Sequence, residues 1–378
     1  MNHFKNICLI VLLMVTFIGC SEIYTPKIDS KTETLVIEGL ITDGTGPFTI
    51  KLYKAILFNS DSVSASNFVE GAKLTVIDNE NNSFTLTDSG KGNYTLPITF
   101  KARLGYSYKL HIETSDGNIY ESNSQKLLLP QSFDSIRGVF STNEFIGQDN
   151  KLINVNGGNI LVDLFKSVSN VDSVPLCRFK SNVTIQYEYT ERLKDTMSWH
   201  WVYDKWKSFP LDGTENITED NSYKTSALIT GHSVCFIPIG MESYGLVSPT
   251  TLEYFIYYLR IYQYTINKDA YNYYKEANNQ LAASGKIFDP ITSQLYGNMK
   301  CINNPSKIVL GLFEVSSVSQ TAFMVVQGPY SKNVYLKKVP YVDIPSSGEV
   351  QFKVWDSHSP VPDDSTYVNI TPNWWLHI

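Results

Sequence analysis

The chain has 378 residues, of which 43% are hydrophobic and 18% charged, with a formal charge of −6; this is the composition of a folded globular protein, not of a disordered or polybasic one. The acidic balance argues against a nucleic-acid role, which needs a basic stripe against the phosphates. Tyr 24, Phe 19 and Trp 6 make an aromatic load of 13%, suited to β structure and to outward-facing contact surfaces.

The chain opens as a secretory leader: Lys5 is the only early charge, Ile7 to Ile18 form an apolar core, and Gly19-Cys20 follows. That core falls short of the roughly 20 residues needed to cross a bilayer as a helix, so no permanent transmembrane anchor is expected there. Gly19-Cys20 resembles a lipobox, in which the cysteine sulfur takes up diacylglycerol and becomes the new N-terminus, although Phe17 and Ile18 depart from the usual Leu and small residue. No small-x-small cleavage site lies nearby, so Cys20 is expected to carry the lipid, and several acyl chains hold a membrane far better than one. Residues 1–19 then form the signal peptide and 20–33, polar with Pro26, a lipidated tether.

From Thr34 the pattern turns to period two. Phe48, Ile50 and Leu52 alternate with polar residues, as do Leu74 and Val76, Phe84 and Leu86, and Tyr106, Tyr108, Leu110 and Ile112. Turn signals separate the runs at Asp43-Gly44, Ser89-Gly90 with Gly92-Asn93, and Ser115-Asp116-Gly117-Asn118. The fold class is mainly β, with an immunoglobulin-like or transthyretin-like sandwich over 34–130, closed by Leu127 to Pro130.

Residues 131–378 read as a second, larger β-rich domain. Candidate strands are Ile160–Phe165, Cys177–Tyr189, Trp199–Trp206, Val234–Ile239, Glu253–Tyr264, Ile308–Ser316, Ala322–Gln327 and Val350–Val354. The run Tyr254 to Tyr262 is apolar on both faces and marks a central strand. One amphipathic helix is expected near 268–284: Asn267 can cap it, Gly285 can end it, and Ala270, Tyr274, Ala277 and Leu281 share a face that packs on a sheet.

Chemistry is sparse. No HExxH, GxSxG, P-loop or EF-hand pattern occurs, and His111, His200, His232, His358 and His377 are scattered. The oxygens and imidazole of Asp356-Ser357-His358 with Asp363-Asp364 could hold a cation, but Pro360 and Pro362 within the segment favour a polar loop, so no catalytic residue, metal or cofactor is expected and the chain reads as no enzyme. Trp199, Trp201 and Tyr203, with Trp206 beyond, form an aromatic row that either faces a core or offers a contact for a ligand or protein partner. Once Cys8 leaves with the leader and Cys20 is acylated, Cys177, Cys235 and Cys301 remain, and an odd count allows one disulfide. Cys177 and Cys235, both in strand-like runs of an exported protein, are expected to pair. Ser62, Ser135, Ser173, Thr196 and Ser365 sit in Asp-Ser/Thr patterns resembling an O-glycosylation motif.

The stretch Gly285-Lys286-Ile287-Phe288-Asp289-Pro290, then Gly297-Asn298-Met299, Asn304-Pro305 and Leu310-Gly311-Leu312-Phe313, resembles the Bacteroidetes outer-membrane lipoprotein family catalogued as domain of unknown function 4249. The likeness includes the lipobox, the N-terminal sandwich and the aromatic strand Tyr262-Gln263-Tyr264 leading to the helix, and it runs over nearly the whole chain. It departs at the end, where Pro372-Asn373-Trp374-Trp375 stands in for Pro-Asp-Phe-Trp and the family's cysteine pair is missing. The resemblance implies an outer-membrane location and the frequent company of TonB-dependent transporters; the leaflet is left open, with the cell surface favoured over the periplasmic face. The leading expectation is a lipid-anchored, non-enzymatic binding or accessory partner of that transporter in nutrient uptake. A structural or adhesive surface protein is the alternative from another class, and a hydrolase with a site built from scattered residues is a third.

Overall fold

The computed structural model describes residues 34–55, 67–146, 151–165, 176–192, 199–211, 215–218, 228–238, 252–283, 295–327, 333–341 and 347–355; for 146, 165, 186–192, 199–207, 228, 252–256, 283, 326–327 and 347–355 it gives the backbone path only. The period-two runs become strands. Leu35–Thr42 buries Leu35, Ile37 and Ile41, and Thr49–Lys54 buries Ile50 and Leu52 on the same face. The two pair antiparallel with Ile37 opposite Leu52. Lys73–Asp78 and Ser107–Glu113 do the same in a second layer, with Val76 opposite Leu110.

Three sheets result. The largest has eleven strands, in the order Ser347–Trp355, Trp199–Pro210, Leu176–Arg192, Leu252–Ile266, Val309–Gln327, Leu35–Thr42, Thr49–Lys54, Asn93–Thr95 and Thr87–Asp88; Asn216–Ile217 and Val334–Val339 are attached beside Leu176–Arg192 and Val309–Gln327. A six-stranded sheet built around Ser107–Glu113 covers one end of it, and a three-stranded sheet, Phe133–Ile146, Leu152–Phe165 and Leu228–Pro238, covers the other. The protein is therefore mainly β, with one α-helix, Lys268–Ala283, among the described residues. No described helix is long and apolar enough to cross a membrane, which leaves crossing by strands untouched.

The joint between the two ends is one continuous strand, Val309–Gln327, where the sequence suggested two. Its first part runs parallel to Leu35–Thr42, with Val309 opposite Leu35 and Ser316 opposite Thr42. Its later part runs antiparallel to Leu252–Ile266, with Ser317 opposite Thr265 and Val325 opposite Tyr257. Met299–Cys301 also crosses over, pairing with Ile119–Ser122 in the six-stranded sheet. The N-terminal sandwich thus takes in residues far beyond 130: Met299, Cys301, Val309, Phe313 and Val315 share its core with Ile37, Leu52, Val76 and Leu110.

The second core lies between the three-stranded sheet, through Ile160, Val162 and Leu164, and the large sheet, through Phe179, Val183, Leu259, Ile261 and Val325. Cys177 and Cys235 are both in it, but the pairing expected from the sequence is not made: Cys177, Cys235 and Cys301 are all buried thiols. Cys177 and Cys235 belong to facing layers, and Gln263 Nε2 donates to Cys177 Sγ at 3.7 Å. Burial pushes the Cys177 thiol up to about 12, against a smaller downward pull from Gln263.

The helix starts where expected. The Asn267 carbonyl accepts the first helical bond from Tyr271 N–H at 2.9 Å. Its side-chain amide donates to the carbonyls of Lys126 and Val315, both at 3.0 Å, which pins the helix start between the two units. Asp269, in the first turn, accepts from Asn123 at 3.0 Å and Gln125 at 2.8 Å, a favourable place for negative charge. The buried stripe differs from the expected one. Ala270 and Tyr271 pack on Leu176, Ile266 and Leu312, and the stripe continues through Tyr274 to Asn278, leaving Leu281 58% exposed. Two large tyrosines turn the helix toward themselves, and Asn278 fixes the rotation by bonding both the N–H and the carbonyl of Glu215.

A candidate binding cleft at the joint between the two units

On the large sheet, the face opposite the two covering sheets carries the helix and a group of charges. Arg178, in Leu176–Arg192, stands opposite Tyr264 across the strand pair. Its guanidinium lies 4.3 Å from the centre of the Tyr264 ring and 4.7 Å from that of Tyr274, which descends from the helix. Glu314, opposite Leu40 on the joining strand, accepts from Arg178 Nη2 with both oxygens, at 3.0 and 3.1 Å. The same carboxylate accepts from Ser316 Oγ at 2.6 Å and from the Tyr274 hydroxyl. Glu215 adds a longer contact to Arg178 Nη1, at 3.4 Å. Arg178 and Glu314 are each 2% exposed, so their attraction is little screened and their removal from water is offset by these bonds.

A cleft of about 390 Å³ opens beside this pair, lined among others by Glu38, Lys51, Lys180, Glu215, Tyr273 and Tyr274. The N-terminal hairpin supplies one wall, with Glu38 opposite Lys51 and the Tyr53 hydroxyl donating to Glu38. Four groups in and behind this wall hold their protons more tightly than usual. Burial lowers Arg178's hold on its proton, but Glu314 first, then Tyr274 and Glu215, more than reverse that and raise it above its usual range. Burial, then the Glu314 charge, hold the Tyr274 phenol far above its ordinary value. Burial followed by Glu38 raises Tyr273 and Tyr53 as well. Ring faces, phenol donors and fixed charges of both signs suit recognition of a polar ligand.

The sequence did not single out these residues. Its signal was present: Arg178 interrupts the apolar run Leu176-Cys177-Phe179, and Glu314 sits inside Leu312-Phe313-Val315, and a charge within a buried strand demands a partner. Of the residues that were singled out, Trp199, Trp201, Tyr203 and Trp206 lie on a strand whose backbone pairs on both edges, with Leu176–Arg192 and with Ser347–Trp355. Their side chains lie outside the described residues, as do Cys20, Ser62, Ser173, Thr196, Gly285, Asp356, His358, Asp363, Asp364 and Ser365. Ser135 donates to Asp163 at 2.5 Å, which occupies its hydroxyl. His111 bridges Glu121 and Glu113 at 3.0 and 3.3 Å as part of a surface charge stripe.

Two short motifs quoted above meet beneath the cleft. A Cβ on Gly297 would lie 1.5 Å from the Gly311 carbonyl oxygen, and one on Gly311, with φ at +90, would lie 2.0 Å from that of Ile37. Only glycine permits either approach. Asn298, beside them, donates to the Phe313 carbonyl at 2.7 Å and accepts from its N–H at 3.0 Å, acting as a strand residue would. The Asn303 to Lys307 segment then clasps the Asp116 turn, Lys307 reaching Asp116 at 3.3 Å and Asn303 the Gly117 carbonyl at 2.8 Å.

A family model described as Domain of unknown function (DUF4249) matches residues 21–322. The chain belongs to the DUF4249 family. No curated protein and no solved structure matches it. The matched span of this DUF4249 chain contains the sandwich, the helix, the Gly297–Gly311 contact, the Arg178–Glu314 pair and the joining strand as far as Ala322.

Proposed function

We propose that this DUF4249 chain is a non-enzymatic binding or accessory lipoprotein, anchored through Cys20 in the outer membrane with its body at the cell surface, and serving a TonB-dependent transporter in nutrient uptake. The observation that carries the reading is the joint cleft. Its lining combines aromatic rings with charges of both signs, and Tyr53, Tyr273, Tyr274 and Arg178, in and behind its wall, are all shifted toward keeping their protons. General acid–base catalysis works best with a group poised near the operating pH; these groups keep their protons, and Tyr53, Tyr274 and Arg178 commit them to Glu38 and Glu314, which stiffens the cleft. A lipid anchor would keep protein and transporter in one membrane, where a modest interface suffices. Because the Trp199–Pro210 strand is paired on both edges, any contact it makes goes through a sheet face.

The test is gentle detergent extraction of outer membranes with crosslinking, for the native protein and for Cys20→Ala. Palmitate labelling, membrane retention and co-recovery of the transporter are expected for the native protein. Cys20→Ala is expected to lose the label and the retention, and Lys180→Glu with Tyr273→Ala to weaken co-recovery without altering the circular dichroism. Recovery of the lipoprotein alone, or retention unchanged in Cys20→Ala, would overturn the reading.

A further inference from the structure

A second arginine lies on the same sheet face. Arg260, in Leu252–Ile266, stands between Asn182 on one neighbouring strand and Ala322 on the other. It is 5% exposed. Arg178 has two carboxylates; Arg260 meets none among the described residues. Its single hydrogen bond there runs from Nη2 to Thr184 Oγ1 at 3.4 Å, and its Nε has no acceptor among them. The Thr184 hydroxyl is in turn 2.7 Å from Ser208 Oγ. A guanidinium withdrawn from water without a counter-charge is strongly unfavourable, so a fold that keeps one has a reason to.

The surroundings supply the reason. Tyr258 and Tyr262 flank Arg260 two residues to either side, on the same face of the strand. The Tyr258 hydroxyl donates to the Pro340 carbonyl at 2.8 Å, and the Tyr262 hydroxyl lies 3.0 Å from that of Tyr341, with the rings edge-on at 6.0 Å. Residues 340 and 341 follow the Val334–Val339 strand, so two successive residues strap across the position of Arg260 and are held by a phenol on each side of it.

We propose that Arg260, with the Thr184 hydroxyl, seats an oxyanion, the carboxylate or phosphate group of a small ligand, beneath the Pro340–Tyr341 strap. The planar fork of donors matches such a group in two-point contact, and the anion supplies the charge that the protein does not. This site is separate from the joint cleft and stands whether or not the chain serves a transporter.

The experiment titrates the full-length chain in detergent with inorganic phosphate and, separately, with acetate, each against chloride at constant ionic strength, and reads the thermal midpoint. A saturable rise is expected with one of them: phosphate identifies a phosphate group as the occupant, acetate a carboxylate. Arg260→Lys keeps the charge without the fork and is expected to bind about tenfold more weakly, and Thr184→Val about threefold more weakly. Arg260→Met is expected to abolish the rise and, without anion, to be at least as stable as the native chain, because it removes a buried unpaired charge. An Arg260→Met variant less stable than the native chain, or unable to fold, would mean that Arg260 serves a carboxylate of the protein itself, and the proposal would fall. It would fall equally if neither anion moved the midpoint, or if the rise survived in Arg260→Met as a general salt effect.

Discussion

Removing one member of the Arg178–Glu314 pair should be far more damaging than removing both. In Glu314→Leu the guanidinium of Arg178 stays 2% exposed and keeps, besides the faces of Tyr264 and Tyr274, one charge partner, the 3.4 Å contact to Glu215, whose side chain is 32% exposed. Breaking a buried pair from one side costs about 3–5 kcal/mol, and the remaining Glu215 places this variant near ~3 kcal/mol. Arg178→Met strands Glu314, which retains the hydroxyls of Ser316 and Tyr274; with those donors left the loss is again about 3 kcal/mol. In the double variant no charge is buried, and the loss reduces to two hydroxyls without their acceptor, about 1 kcal/mol each. The double change should therefore cost about 2 kcal/mol, against ~6 kcal/mol for the sum of the singles. Urea unfolding followed by far-ultraviolet circular dichroism gives the comparison, provided the slope is unchanged among variants. Single variants each below ~1 kcal/mol, or a double equal to their sum, would refute the account of the pair as a mutually dependent buried unit.

Four further outcomes follow from the same physics. Asn298→Leu should destabilise by about 2–3 kcal/mol, because the N–H and carbonyl of Phe313 lose their partner in the buried interior; denaturant midpoints measure it. Hydrogen bonds from Thr114, together with Lys307, hold Asp116 at about 2 in the folded state, below its ordinary 3.8. A depressed carboxylate contributes stability that is complete above its unfolded value and lost as pH falls toward 2; Asp116 is largely exposed, so Asp116→Asn should flatten the acid limb of the stability curve only slightly. With its thiol at about 12, Cys177 should resist iodoacetamide at pH 8 in the native protein, and Cys177 and Cys235 should both label once the chain is unfolded without reductant; a failure to label would restore the disulfide. Residues 34–130 expressed alone should stay unfolded by circular dichroism, because Phe313 and Val315 belong to that core.

Local patterning carried much of the fold in legible form. Phe48, Ile50 and Leu52 alternate, and the latter two are buried on one face. Tyr254 to Tyr262 reads as a two-faced apolar run, and its strand is flanked by Leu176–Arg192 and Val309–Gln327. What the sequence could not display is pairing across distance. Nothing local to Leu35 announces that Val309 lies beside it, so the sequence closes the first unit at Leu127 to Pro130 although its core draws on Met299 to Val315. The same limit hid the cleft: Arg178 and Glu314 are 136 residues apart, and each alone looks like a charge in the wrong place. Leu281 falls on the expected face and off the buried one because a helical stripe drifts and the two bulkier tyrosines decide its direction. The Gly-Asn and Leu-Gly-x-Phe motifs were legible as strings, and their shared contact explains why glycine is needed at both places.

The strand Val309–Gln327 also sets a clock. Leu35–Thr42 leaves the ribosome early, yet the neighbour that covers one of its edges, Val309 opposite Leu35, comes 274 residues later, at roughly 5–20 residues per second a wait of tens of seconds at the slower rate. Through that interval the first hairpin carries a row of unpaired backbone groups and half a hydrophobic layer, a template for any passing strand. Closing so long a loop is entropically costly and makes the topology slow. A chain arranged this way cannot mature module by module as it emerges. It must be kept apart from its copies until nearly all of it is present, and then closes both ends together, so that a late truncation destroys the earliest part of the protein.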